Sequence, residues 1–392
     1  MKDKRKRTIP LGRAVLLCVL CLLAGMAVVL GLLGGLLGRD GVTLLQANYL
    51  IEKTFVGEYD REAYMDTVLN TMVEALGDRW SYYLDAESVQ QTRETRSNAY
   101  VGIGITISQE AMDGLEILSV TPGGAAQTAG IQPGEIIRSV DGTVITKENR
   151  EEMVDAIRGQ EGTSVVLTVE GADGVQRTVE IVRGTIQGVS AQWSMLEGQV
   201  GYLTIANFYS GTAQQVSQGL TELVKQGAQA LVLDVRFNPG GYVTEMTEIL
   251  DQLLPEGDIF RSEDYRGREY VYQSDEMGTF LPMAVLINGD SYSAAEFLAA
   301  QLQESAGAVL VGAQTSGKGF SQRLLPLVGG GGLNLSTARY FTGAGRSLIG
   351  TGLTPDLPVE MDEETQIKCY RGQLPPEEDL QLQAALEALA GE

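Results

Sequence analysis

The stretch Ala228-Gln-Ala-Leu-Val-Leu-Asp-Val-Arg236 is apolar at almost every position. A strand with one wet face alternates polar and apolar residues, whereas one that stays apolar must be covered on both faces, as in a parallel sheet packed between helices. Met283-Ala-Val-Leu-Ile287 and Ala308-Val-Leu-Val311 repeat the pattern, and Val200-Gly-Tyr-Leu-Thr-Ile205 reads as a further strand. Helical spacing fills Thr212 to Gln226 and Ser293 to Gln303 in between. From about residue 187 the chain is therefore expected to be α/β. Arg323 to Leu327 and Leu333 to Thr337 read as a hairpin across Gly329–Gly332, and an acidic helix is expected from about Pro375.

The region ahead of this core has a different grain. Leu115 to Val120, Val165 to Val169 and Gln176 to Val182 read as short strands, Asn149 to Ile157 as a helix, and Thr121-Pro-Gly-Gly-Ala-Ala as a turn entering a short helix. Val101-Gly-Ile-Gly-Ile105 precedes them. Glycines there let backbone N–H groups converge on a carboxylate, and the strand that follows can accept an added peptide strand. A structural domain without a ligand is the alternative reading. The order of elements resembles a PDZ domain, which would make Val101, Gly102, Ile103, Gly104 and Ile105 the seat of a peptide C-terminus. Residues 42–95 read as helical, with Met65, Leu69, Met72, Val73 and Leu76 at helical spacing. Leu76 to Leu84 reads as a turn with aromatic packing residues, closing a small helical cap.

Lys2, Lys4, Arg5, Lys6, Arg7 and Arg13 precede Ala14 to Leu37, a run of 24 residues without charge. That is long enough to span a bilayer with some tilt. A cleaved signal peptide, the competing reading, has an apolar core of only about 7–15 residues. The basic flank belongs in the cytoplasm. The expectation is a single-pass protein of the cell membrane, with everything after Arg39 on the extracytoplasmic side. The net charge of −22 argues against nucleic acid as a partner.

The chain contains no histidine. This excludes a Ser-His-Asp triad, a Cys-His dyad and His-ligated metal sites, so a general base must be Lys, Asp, Glu, Tyr or the chain terminus. Cys18 and Cys21 lie in the apolar run and Cys369 stands alone, so the remainder has no disulfide framework. Three segments are left to carry chemistry. Asn288-Gly-Asp-Ser-Tyr-Ser-Ala-Ala-Glu296 sits between a buried strand and a helix. Ser293 there can present its hydroxyl at a helix N-terminus, but read alone it is more simply a capping box with Glu296. Gly312-Ala-Gln-Thr-Ser-Gly-Lys-Gly319 approaches a phosphate loop, yet Gly319 stands where Ser or Thr is needed, and a strand rather than a helix is expected next. Asn238-Pro-Gly-Gly241 ends a buried strand, where its glycines either turn N–H groups inward or simply form a tight turn.

Together with the PDZ-like region, these segments resemble the carboxyl-terminal processing proteases, the tail-specific peptidases of the S41 type. The resemblance runs from Leu76 to Pro355-Asp356. It implies a ClpP/crotonase-like α/β protease core carrying an inserted PDZ domain, an N-terminal helical segment and a transmembrane anchor. It also implies Ser293 as nucleophile, Lys318 as general base 25 residues on, and Gln322 as the residue that orients the lysine. Gly240 or Gly241 with Ala294 would form the oxyanion hole, and no metal or cofactor is implied. The domains expected are a cytoplasmic tail (1–13), signal-anchor (14–37), helical region (38–95), PDZ domain (96–186), peptidase core (187–365) and helical tail (366–392). Protein C-terminal tails would be the substrate, and a homo-oligomer is compatible, since family members often assemble. Tyr292 and Ala295 depart from the family's usual small residue and serine, which bears on substrate preference. The rival readings are a catalytically silent PDZ scaffold and an acyl-CoA enzyme of the crotonase type.

Overall fold

The computed structural model describes residues 11–108, 114–121, 123–275, 278 and 281–391, without the side chains of residues 11, 13, 14, 17, 27, 29, 30, 32, 33 and 36. The chain divides into two compact units, residues 1–67 and 68–392. In the first, helix α1 (Leu11–Thr54) is broken at Gly38, where φ is 61° and ψ −175°, a conformation that glycine tolerates. Most of the expected cytoplasmic tail lies outside the described residues. Among the described residues, no helix is long and apolar enough to cross a membrane.

Helix α2 (Arg61–Glu74) leads into β1 (Tyr82–Leu84) and α3 (Ala86–Ser97). The turn expected over Leu76 to Leu84 thus contains a strand, and the cap is not wholly helical. Next come β2 (Ala99–Gly102), β3 (Ile105–Ser108), β4 (Leu115–Val120), α4 (Ala125–Thr128), β5 (Ile136–Val140), β6 (Thr143–Val144), α5 (Arg150–Ile157), β7 (Ser164–Glu170), β8 (Gln176–Val182) and β9 (Gly184–Gln187). The path β3-β4-β5-β7-β8 makes one sheet, with β2 and β9 paired beside it. Ile103, Leu115, Ile117, Ile137, Val165, Leu167 and Val169 form its core, separate from the main one.

The rest comprises β10 (Ala191–Leu196), β11 (Val200–Ile205), α6 (Thr212–Lys225), β12 (Ala230–Asp234), α7 (Val243–Leu253), β13 (Gly257–Asp264), β14 (Glu269–Ser274), β15 (Met283–Ile287), α8 (Ala294–Ala306), β16 (Val309–Gly312), β17 (Phe320–Pro326), β18 (Gly332–Thr342), β19 (Leu357–Pro358), α9 (Glu363–Tyr370) and α10 (Leu380–Ala390). A sheet in the order β10-β11-β12-β15-β16-β19 is parallel from β11 onward. Its central strands are fully buried because they have two cores. Leu231, Leu233, Val285 and Ile287 pack with residues of α6, α7 and α8. Ala230, Val232, Ala284 and Leu286 pack with Leu382 and Ala385 of α10. This is the covering on both faces that the apolar runs required. A second sheet, β1-β18-β13-β14 with β17 on β18, contains the expected hairpin and also the two strands β13 and β14.

Candidate active site

Ser293 stands at the turn between buried strand β15 and α8, with φ 59° and ψ −123°. Such a backbone is strained for a residue with a Cβ. A sharp strand-to-helix turn of this kind lifts a serine hydroxyl out at the helix start. The capping box with Glu296 is also formed, so a helix cap and a strained turn coexist in one buried residue.

The turn is stitched to the neighbouring loop. Phe237 N–H donates to Asn288 Oδ1 (2.9 Å), Ser291 Oγ donates to Val235 O (2.8 Å), and Tyr292 N–H donates to Asn238 O (3.2 Å). At Gly240, φ is 86° and a Cβ would lie 2.9 Å from Ser293 Cβ and 3.1 Å from Ala294 N; at Gly241 a Cβ would overlap Phe208 O. Both glycines are therefore dictated by close approach to the serine turn and to Phe208. The Gly240 amide donates to Asn238 Oδ1 (2.8 Å). The amides of Gly241 and Ala294 make no hydrogen bond among the described residues. Of the three amides named from sequence, these two are free to receive an oxyanion.

The loop is held from beneath by a charged cluster that sequence reasoning missed. Arg236 is buried and bonds both Asp234 (2.6 Å) and Asp379 (2.8 Å). Tyr202 Oη donates to Asp234 (2.6 Å), and Gln381 accepts from Arg236 (3.0 Å). The carboxylates hold the guanidinium well above its ordinary pKa. The signal available was two charges, at 234 and 236, at the end of an otherwise apolar strand.

Glu296 joins the two principal candidates. Its fully buried carboxylate accepts four hydrogen bonds: from Ser293 N (3.0 Å), Lys318 N (2.9 Å), Gly317 N (2.7 Å) and Thr315 Oγ1 (2.5 Å). One side chain thus fixes the backbone at the serine and at the lysine. Gly317 and Gly319 press against residues 349–352, since a Cβ would lie 2.9 Å from Gly352 N in one case and inside the Ile349 side chain in the other. Strand β17 follows Lys318, so the segment lacks the helix N-terminus that a phosphate loop needs.

The Lys318 amine lies 4.6 Å from the centroid of the Trp80 ring and 5.4 Å from that of Tyr292. It makes no hydrogen bond among the described residues, to Ser293 or to any other. Burial pushes its pKa down to about 8, with Arg96 and Arg79 acting in the same direction against Glu296 and Asp78. Gln322 Nε2 donates to Phe320 O (2.9 Å) and Ser336 Oγ (3.2 Å). The structure therefore brings Ser293, Ala294, Gly240, Gly241 and the Lys318 loop together, while the lysine-to-glutamine bond expected of Gln322 is not made in it.

At the PDZ-like end, Ile103 O accepts from Ala126 N (2.8 Å) and Gly104 O from Thr121 N (2.9 Å). Gly104 has φ +82°, with Ile186 and Thr121 each 3.3 Å from where a Cβ would stand. Among the described residues β3 pairs only with β4, which leaves its other edge without a partner strand. That edge faces α5 across a groove of about 1100 Å³ lined by residues 101–107 with Val154, Ile157 and Arg158.

Comparison with known proteins agrees with this division. The model for peptidase family S41 matches residues 199–359, and a PDZ domain model matches residues 116–171. The carboxy-terminal-processing protease of Bartonella bacilliformis is 32% identical over 320 residues, 79% of this chain and 73% of that one. The carboxy-terminal processing protease CtpA of Bacillus subtilis is 30% identical over 321 residues, 81% of this chain and 68% of that one. The solved photosystem II D1 C-terminal processing protease is 28% identical, covers 83% of this chain and 88% of its own, and superposes with a TM-score of 0.48. The chain belongs to peptidase family S41, as a serine-type carboxy-terminal processing protease carrying a PDZ domain.

Proposed function

We propose that the protein is an endopeptidase that captures the C-terminal tails of proteins on β3 and cuts them upstream with Ser293 and Lys318. Lys318 takes the hydroxyl proton, Ser293 Oγ attacks the scissile carbonyl, and the amides of Gly241 and Ala294 receive the oxyanion. The intermediate collapses with cleavage of the peptide C–N bond, Lys318 giving its proton to the leaving amine, and water then hydrolyses the acyl-enzyme. The observation that carries this reading is the four-fold acceptance by Glu296, which binds the backbone of nucleophile and base to one buried carboxylate. Gln322 is the neighbour we assign to steadying the lysine once it turns toward Ser293.

The test is cleavage of a folded carrier protein ending in an appended apolar tail. Ser293→Ala and Lys318→Ala should lose on the order of 10²–10⁴-fold or more in turnover and still bind the tail. Residual cleavage near the parent rate in either variant would sink the assignment. A second expectation follows from the depressed lysine pKa. The neutral amine is the base, so kcat/KM should rise about tenfold per pH unit below about 8 and flatten above it.

We further propose that residues 14–37 anchor the protein in the cell membrane, leaving the peptidase outside the cytoplasm. The support is the 24-residue uncharged run and its basic flank. Added protease should digest the peptidase part in cells stripped of their wall, and an intact catalytic domain after that treatment would oppose the proposal.

A further inference from the structure

Lys318 poses a question that the dyad alone leaves open. A half-buried ammonium normally finds an acceptor, and this one has none among the described residues. Its acidic neighbours are already engaged: Glu296 accepts four other donors, and Asp78 accepts from Trp80 N (3.1 Å) and Ser81 Oγ (2.6 Å). What the amine does meet is two aromatic faces. The Trp80 and Tyr292 rings lie 5.9 Å apart at 32° and both stand within cation–π range of Nζ. The far more exposed Arg79 also lies over Trp80, at 4.4 Å, and its guanidinium is tied to Ser316 O (3.1 Å).

We propose that Trp80 and Tyr292 are positioning residues that seat the Lys318 ammonium on their ring faces, away from Ser293, so that the base is parked until it leaves that seat. The inference rests on the reading of Lys318 as the base. A ring face attracts the ammonium and is indifferent to the neutral amine. The seat therefore favours the protonated, inactive form, against the burial that favours the neutral one. The other charges facing the amine are Arg96 from α3, Arg79 and Asp78 from the segment before β1, and Glu296 from α8. Replacing the Tyr292 ring leaves the Arg79–Trp80 stack in place, whereas replacing Trp80 removes it, so the Tyr292 pair carries the test.

The test compares apolar side chains with and without a ring face, reading the pH profile of kcat/KM on the tailed carrier with the full chain. Tyr292→Phe should keep the parent acid limb. Tyr292→Leu should move it to lower pH by about half a unit to one unit, a roughly three- to ten-fold gain at fixed pH on that limb. Trp80→Met against Trp80→Phe repeats the comparison on the other wall, should either Tyr292 variant fail to fold. Coincident limbs for ringed and ringless variants, or an upward shift in the ringless ones, would overturn the seat. If Lys318→Ala turned over like the parent, the limb would not belong to the lysine and the dyad would fall along with the seat. A dead Lys318→Ala with coincident limbs removes the seat alone.

Discussion

Along β3 the backbone has no partner strand on one side among the described residues, with an open groove in front of it and glycine at 104 where the chain must take a positive φ. Around Ser293 the backbone is engaged at almost every turn. Asn238, Asn288, Ser291 and above all Glu296 fix the two loops, leaving the amides of Gly241 and Ala294 free. Both regions use glycine for close approach, but to different ends. The groove keeps its edge unsatisfied, as a surface must if a peptide strand is to add to it. Around Ser293 the amides of Gly241 and Ala294 are left without a partner among the described residues, and the Lys318 amine meets two aromatic rings. On the proposed reading, capture uses an open strand edge, whereas cutting uses a hydrogen-bonded frame in which the Lys318 amine alone is held by ring faces.

Glu296→Gln should break this contrast most sharply. An amide keeps one acceptor oxygen and turns an NH₂ group toward backbone donors, so the frame loosens at serine and lysine together. Turnover should fall on the order of 10²-fold or more and urea stability by about 3 kcal/mol, with tail binding in the groove unchanged. A parallel loss of tail affinity would show that the two regions are not independent.

Asp379→Ala probes the cluster beneath the loop. It leaves Arg236 buried with Asp234 as its one remaining ionic partner, which should cost about 3 kcal/mol in urea unfolding. Since Phe237 and Asn238 follow directly, slower turnover should accompany it. Unchanged kinetics would mean that α10 covers the sheet without steadying the loop.

Gly104→Ala is the mildest change and acts on the other region. The strained positive φ should cost about 1 kcal/mol and weaken tail binding roughly tenfold. Cleavage of an untailed peptide should stay the same, and a drop there would link the groove to the chemistry.

The sequence carried the architecture where periodicity was unmistakable. Val200–Ile205, Met283–Ile287 and Gln176–Val182 have the bounds read from their apolar patterns. Strand β1 escaped because three residues pair with β18 some 250 positions away, and no local pattern marks Tyr82–Leu84 as a strand. Strands β13 and β14 and helix α7 lie outside the elements expected from sequence. At the site, the Ser293–Glu296 spacing announced a capping box, a contact within one turn of helix. That the same carboxylate also holds Gly317 and Lys318 was invisible, because those amides arrive from another loop. Trp80 reads from sequence as a packing residue, and nothing near it in the chain points to a lysine 238 positions later.

The central claim is that Ser293 is made nucleophilic by Lys318 on a frame fixed by Glu296. Its most direct test is the rate at which a serine-directed fluorophosphonate modifies the protein, with the modified residue located by mass spectrometry. The account expects a single adduct on Ser293, formed on the order of 10²–10⁴-fold more slowly in Lys318→Ala. An adduct elsewhere, or one formed on Ser293 at the parent rate without Lys318, would contradict it.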